Sequence, residues 1–170
     1  MSEEILRAMM ELFALIVKQD GGMLPGERDF VAAFLTKQLP HQSADQFMHL
    51  FLKEAGPPRE KGFRSGPGTA SVKDSIRILN NCKKINKTLS QEQRAIVLMR
   101  CIELIDADKQ FTPQRMNIIN TIAEVFRISG DEFRSMMQFV MEEERSGFIN
   151  PMIYVVETGM QADNAAKSGP

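Results

Sequence analysis

Apolar residues recur along this chain at the three- and four-residue spacing of amphipathic helices. Ile5, Met9, Leu12 and Ile16 form the first such series, and similar series follow throughout the chain. No segment alternates apolar and polar residues with a period of two before residues 153–156. The pattern therefore predicts an all-α fold of seven helices, near residues 3–19, 25–39, 44–55, 71–86, 91–107, 113–127 and 130–145.

Helix starts are marked by residues that cap helical N-termini. Ser43, Ser90 and Ser129 each begin the pattern S-x-x-E/Q, the sequence signature of a capping box. Thr112 is followed by Pro113, which combines a capping hydroxyl with a proline in the first helical position. These signals predict where four of the seven helices begin.

The chain also repeats itself. The stretch DGGMLP at 20–25 is echoed by DKQFTP at 108–113, and SADQF at 43–47 is echoed by SGDEF at 129–133. Each copy reads as a helix, an Asp-x-x-apolar-x-Pro corner, a second helix and a capped third helix. We therefore predict that residues 3–39 superpose on residues 91–127, with Met23 falling on Phe111.

This repeat defines the expected domain organisation. A single helical domain over residues 1–147 would contain halves at about 1–55 and 87–147, a bridging helix at about 71–86 and a loop rich in glycine and proline at 56–68. Residues 148–170 differ from the rest, with a short β-prone run followed by small polar residues. We interpret them as an extended tail or a linker to a further domain.

Composition and charge narrow the functional classes. The net charge is −1, so no overall positive field favours nucleic acid. The apolar runs are too short to span a membrane, and the acidic N-terminus is unlike a signal peptide. The two cysteines have no CxxC spacing and are expected to be reduced and buried. We therefore expect a cytoplasmic protein without direct membrane insertion, and no arrangement of residues indicates an enzyme.

The two corners and their flanking helices resemble the TerB-like family. The residues that carry the resemblance are QDGGMLPGERDFV in the first copy and LIDADKQFTPQRMNIINTIAEVF in the second. The family's corner has the pattern D-G-x-apolar-x-x-x-E, and the resemblance covers residues from Ser2 to about Arg145. It implies an all-α bundle of two related halves and a role in tellurite resistance or other stress responses at membrane-associated complexes.

A narrower resemblance concerns residues 71–106. This stretch is similar to TerB-like domains at the N-terminus of bacterial ABC-type transport ATPases. It implies a non-catalytic interaction or regulatory domain, positioned at the inner face of the membrane through other domains or proteins of a complex. The alternative is a stand-alone, metal-binding stress protein of the tellurite-resistance kind.

The acidic corners are the candidate for that metal site. The resemblance implies that Asp20, Glu27 and Asp108 bind a divalent cation, with no other cofactor indicated. The second copy departs from the pattern, because Lys109 replaces the glycine and Arg115 replaces the acid. The residues themselves also fit a structural corner, in which Leu24 is the N-cap and the Glu27 carboxylate reaches back to its amide. Both interpretations remain open at this point.

Methionine is the other unusual feature, with 12 in the chain. Met9, Met10, Met136 and Met137 lie in adjacent pairs, and pliable methionine surfaces suit adaptable protein contacts. They are therefore the candidate partner-binding residues. Core filling is the alternative, since these methionines also fall at helical spacing.

Overall fold

The computed structural model describes residues 2–60 and 71–146, with side chains as far as Glu142. These residues form seven helices, which confirms the predicted all-α class. The helices are α1 (Glu3–Lys18), α2 (Pro25–Gln38), α3 (His41–Ala55), α4 (Val72–Thr88), α5 (Gln91–Asp106), α6 (Pro113–Val125) and α7 (Gly130–Ser146). Most of the loop at 56–68 and the β-prone run at 153–156 lie outside the described residues.

Helix α1 is the centre of the bundle. Its residues from Ile5 onward are apolar on nearly every side, and such a helix is stable only when neighbours surround it. It packs against α3, α4, α5 and α6. Met9 and Met10 are consequently buried in the core rather than exposed.

Some of the contacts between helices occur in both halves. Helix α1 packs on α3 as α5 packs on α7, and α1 reaches α6 as α5 reaches α2. Helix α4 joins the halves by packing on both α1 and α6. The full superposition of the halves stays a prediction.

The two corners share an unusual backbone conformation. Gly21 has a φ of 82° and the corresponding Lys109 has a φ of 54°. The left-handed region is open to glycine at little cost but disfavours side chains such as lysine. The second corner therefore keeps a left-handed residue at this position although the glycine has been replaced.

One predicted helix start was wrong. Helix α3 begins at His41, with Pro40 as its N-cap, instead of at the Ser43 capping signal. The Pro40 carbonyl already accepts the Ala44 N–H at 3.0 Å, so the first turn closes before Ser43 is reached. The boxes at Ser90 and Ser129 do form, with reciprocal bonds to Gln93 and Glu132.

Both cysteines lie in the core, as predicted. Burial raises the pKa of Cys82 to about 12, and burial raises the pKa of Cys101 strongly as well. Because the thiolate is the reactive form, neither side chain is suited to nucleophilic or redox chemistry in the folded chain.

We therefore predict that both thiols are protected by the fold. At pH 8 the native protein should react with a thiol reagent such as DTNB only on the timescale of unfolding. In denaturant both thiols should react immediately. Absorbance of the released thiolate measures both rates. Immediate reaction of a thiol in the native protein would contradict the packing described here.

Candidate functional site

The predicted corner residues meet at a buried arginine. Arg115 is fully buried, and its Nε lies 2.8 Å from Oδ2 of Asp20 as an ion pair. Its Nη1 donates a short hydrogen bond to Oε1 of Glu27, and its Nη2 donates to the carbonyl of Val17 at 3.2 Å. One guanidinium from the second half thus binds two carboxylates and the end of α1 in the first half.

Arg115 reaches this position because of how α6 begins. Thr112 is the N-cap of α6 and Pro113 occupies its first turn, as the sequence predicts. Arg115 is then the third helical residue, and it precedes the buried Ile118, Ile119 and Ile122 on the same face. The N-terminus of α6 therefore directs this side chain into the core.

Asp108 performs the reciprocal function at the start of α2. The N-cap there is Leu24, which has no side-chain oxygen. Oδ2 of Asp108 instead accepts the Glu27 N–H at 2.8 Å, while Oε2 of Glu27 accepts the Leu24 N–H at 2.9 Å. Asp108 therefore completes, from the other half, a capping arrangement that α2 cannot make alone.

The first corner contacts the N-cap residue of α6. The Thr112 hydroxyl donates to Oδ2 of Asp20 at 2.7 Å and accepts a longer bond, 3.4 Å, from the Arg115 N–H. Each aspartate thus lies at the N-terminus of the opposite half's second helix, where negative charge is favoured. The two halves therefore meet through a contact between each aspartate and the start of the opposite helix.

A second arginine, Arg59, lies after α3 in the chain and bonds to both corners. The Arg59 Nε and Nη2 donate to the carbonyl of Asp20 at 2.8 and 2.6 Å, and its Nη1 donates to Gln110 at 3.1 Å. The segment carrying Arg59 lies tight against the first corner, because a Cβ at Gly22 would meet the Pro57 carbonyl oxygen at 2.5 Å. Arg59 therefore helps to hold the first corner in its folded conformation.

Burial dominates the electrostatics of the cluster. Removal from water raises the pKa of Glu27 more strongly than Arg115 and the Leu24 N–H lower it, and the nearby Asp108 raises it further. Two acidic side chains, Asp20 and Glu27, share one fully buried guanidinium, so attraction to Arg115 is divided between them. The pKa of Glu27 thus lies above its usual value of 4.5.

The arrangement does not fit a divalent cation well. Asp20 and Glu27 both bind the Arg115 guanidinium, and Asp108 is bonded to the α2 backbone. A metal would need six or more oxygen ligands and would have to displace a positive group already in place. Among the residues that the structure describes, no group of three or more histidine, cysteine or acidic side chains is arranged to hold a metal. The metal role of Asp20, Glu27 and Asp108 stays a prediction.

One methionine pair is buried in the core and the other is half-buried on α7. Met9 and Met10 are buried in α1, so they do not contribute to an exposed face. Met136 and Met137 on α7 are half-buried and pack against the core. A partner-binding role for the four stays a prediction, but the surface they were expected to form together is reduced to the α7 pair.

Sequence reasoning did not assign Arg115 to the core. In the sequence, the arginine in place of the family's acid indicates only the loss of a ligand. A usable signal was present, because positions 115, 118, 119 and 122 follow the i, i+3, i+4, i+7 spacing of the buried face. An arginine on that face requires buried acidic partners, and Asp20 and Glu27 were already candidates.

These features define an all-α domain built from two halves that are joined by a buried arginine and by contacts between their corners. The family model for the tellurite resistance protein TerB matches residues 6–138. The chain therefore belongs to the TerB family. No curated protein and no solved structure matches it significantly.

The cap supplied by Asp108 predicts an unusual response at Gly26. A Cβ at Gly26 would lie 2.7 Å from both carboxylate oxygens of Asp108, so Gly26→Ala should push that carboxylate off the Glu27 N–H. We expect a loss of about 1–2 kcal/mol in the free energy of unfolding, similar to the loss of an N-cap. Urea denaturation measures it.

The matched control is Gly130→Ala in the first turn of α7. A Cβ there meets nothing within 4 Å, so the substitution should be neutral or stabilise the protein by up to about 1 kcal/mol. Equal effects of the two substitutions would show that Asp108 does not hold α2 as described.

The raised pKa of Glu27 predicts a pH dependence of opposite sign to that of a simple salt bridge. Just above pH 4.5 the folded chain retains a proton on Glu27 that the unfolded chain has released. The contribution of Glu27 to the free energy of unfolding should therefore fall as the pH rises through the interval between 4.5 and the folded-state pKa. Urea denaturation of the wild type and Glu27→Gln at each pH gives this contribution as a difference. A difference that grows with pH would mean that Arg115 outweighs burial.

Proposed function

We propose that this TerB-family chain is a non-catalytic interaction and regulatory domain, and that it acts as the N-terminal module of a larger bacterial transport-associated ATPase. The cytoplasmic side of the membrane is its proposed location, reached through other domains or proteins. No helix among the described residues is long and apolar enough to cross a membrane.

The observation that carries the proposal is an exposed apolar stripe on α4. Val72, Ile76 and Leu79 are 78%, 53% and 38% exposed and fall on one side of the helix. Lys83 continues this stripe, and the exposed Lys84 and Lys87 lie beside it. We call these six residues the α4 face. Clustered apolar residues on a surface mark sites of interaction.

The buried cluster supports the same proposal in a different way. Its carboxylates bind the α2 backbone, a threonine hydroxyl and a guanidinium, so their chemistry is used in holding the halves together. The bridging helix α4 contacts both halves and presents the α4 face outward. A partner that binds the α4 face therefore contacts a helix that packs on both halves.

The proposal is tested on the full gene product. The reading frame should continue past the codon for Pro170 into an ATP-binding domain, and Ile76→Glu should change the ATPase rate or its response to transport substrate. Ile96→Glu is the matched control, since Ile96 on α5 is 39% exposed and lies outside the α4 face. A stop codon after Pro170 would contradict the ATPase context, and equal effects of the two substitutions would contradict the α4 face.

A stand-alone metal-binding stress protein is the second candidate, because Asp20, Glu27 and Asp108 do converge on the junction of the two halves. We predict that calorimetric titration with Ca²⁺, Mg²⁺ or Zn²⁺ gives no saturable heat with the wild type up to millimolar metal, because Arg115 is already bonded to the carboxylates of Asp20 and Glu27. Asp20→Asn is the matched variant and should behave like the wild type. Saturable heat that disappears in Asp20→Asn would favour the metal-binding function instead.

A further inference from the structure

Two helices of this chain carry exposed faces of opposite charge. Helix α4 has one acidic residue, Asp74, which is buried and paired with Lys18 at 3.3 Å. The exposed charges of α4 are therefore all positive. Helix α4 packs on α1 and α6, while α7 packs on α5, so the two helices belong to different parts of the bundle surface.

The exposed face of α7 combines apolar and acidic residues. Phe139 is 38% exposed, and Glu132 and Glu142, seven positions before it and three positions after it, are exposed on the same side of the helix. The sequence continues with Glu143 and Glu144. We call Glu132, Phe139 and Glu142 the α7 face.

The spacing along the two helices is matched as well as the charge. On α4 an exposed apolar residue, Leu79, is followed four positions later by Lys83. On α7 the exposed Phe139 is followed three positions later by Glu142. Two helices in parallel contact, with Phe139 beside Leu79, would bring the acidic turn of α7 to the basic turn of α4, because residues three and four apart lie one turn further along a helix.

We propose that the α4 face of one molecule binds the α7 face of a second copy of this chain. The inference rests on the proposed interaction function and names its partner. Since the two faces differ, the contact is head-to-tail, and each molecule retains one unused face. The interface is small compared with those of permanent dimers, so the association is weak and dependent on concentration. Its charged part makes it weaker in high salt.

The head-to-tail arrangement allows a complementation experiment. Sedimentation velocity of the full chain should show a weight-average mass that rises with protein concentration and falls with added salt. Ile76→Glu on the α4 face and Phe139→Lys on the α7 face should each weaken association at least about tenfold. Ile96→Glu should associate like the wild type, and circular dichroism should show that all three variants are folded.

The decisive sample is an equimolar mixture of Ile76→Glu and Phe139→Lys. The first variant keeps an intact α7 face and the second keeps an intact α4 face, so the mixture should form a one-to-one dimer and nothing larger. A monomeric wild type at every concentration, a mixture that stays monomeric, or an Ile76→Glu variant that associates like the wild type would each overturn the inference.

The same set of experiments distinguishes the other possible partners of the α4 face. If the wild type stays monomeric but binds vesicles containing phosphatidylserine, and Lys83→Glu abolishes that binding, the face recognises anionic lipid instead. If it neither associates nor binds vesicles, self-association is overturned, while the interaction function is still judged by the ATPase comparison of Ile76→Glu with Ile96→Glu.

Discussion

The structure depends on a fully buried guanidinium that two carboxylates and a helix end must satisfy. Taking Arg115, Asp20 and Glu27 out of water is costly, and an unpaired charge in that position would be more costly still. Their contacts form only when α6 from one half meets α1 and α2 from the other. The interaction therefore specifies how the halves fit together more than it adds to stability.

The contacts between each aspartate and the opposite helix also specify how the halves fit together. Helix α2 lacks a capping side chain of its own and takes Asp108 from the second half, while Thr112 at the start of α6 bonds Asp20 from the first. Neither half contains all the partners for its own polar groups. We infer that the halves fold cooperatively, and that residues which look like a binding site in the sequence are needed for the fold.

The residues that bind partners are therefore expected on the surface of the bundle. The carboxylates of the corner are already bonded within the fold, so few of its groups are available to bind a ligand. Helix α4, in contrast, exposes aliphatic and basic side chains to solvent. The family membership is shown by the match over residues 6–138. The particular partners depend on side chains at the surface, which a family can vary without changing the bundle.

Helical periodicity and capping signals were sufficient to predict seven helices and most of their ends, because these depend on local sequence. The start of α3 at His41 was missed because the Pro40 carbonyl closes a turn without a side-chain cap. The role of Arg115 was missed for another reason: its partners are distant in the chain and become adjacent only on folding. Burial of Met9 and Met10 likewise reflects α1 being surrounded on all sides, which its own sequence only suggests.

The central claim is most directly tested by a double-mutant cycle between Arg115 and Glu27, with urea denaturation of the wild type, Arg115→Met, Glu27→Gln and the double variant. Arg115→Met should cost about 3–5 kcal/mol, because it leaves buried carboxylates without a counter-charge. The double variant should be more stable than the sum of the single effects predicts, with a coupling energy of about 2–3 kcal/mol. Additive effects, within about 0.5 kcal/mol, would contradict the claim that this pair joins the two halves.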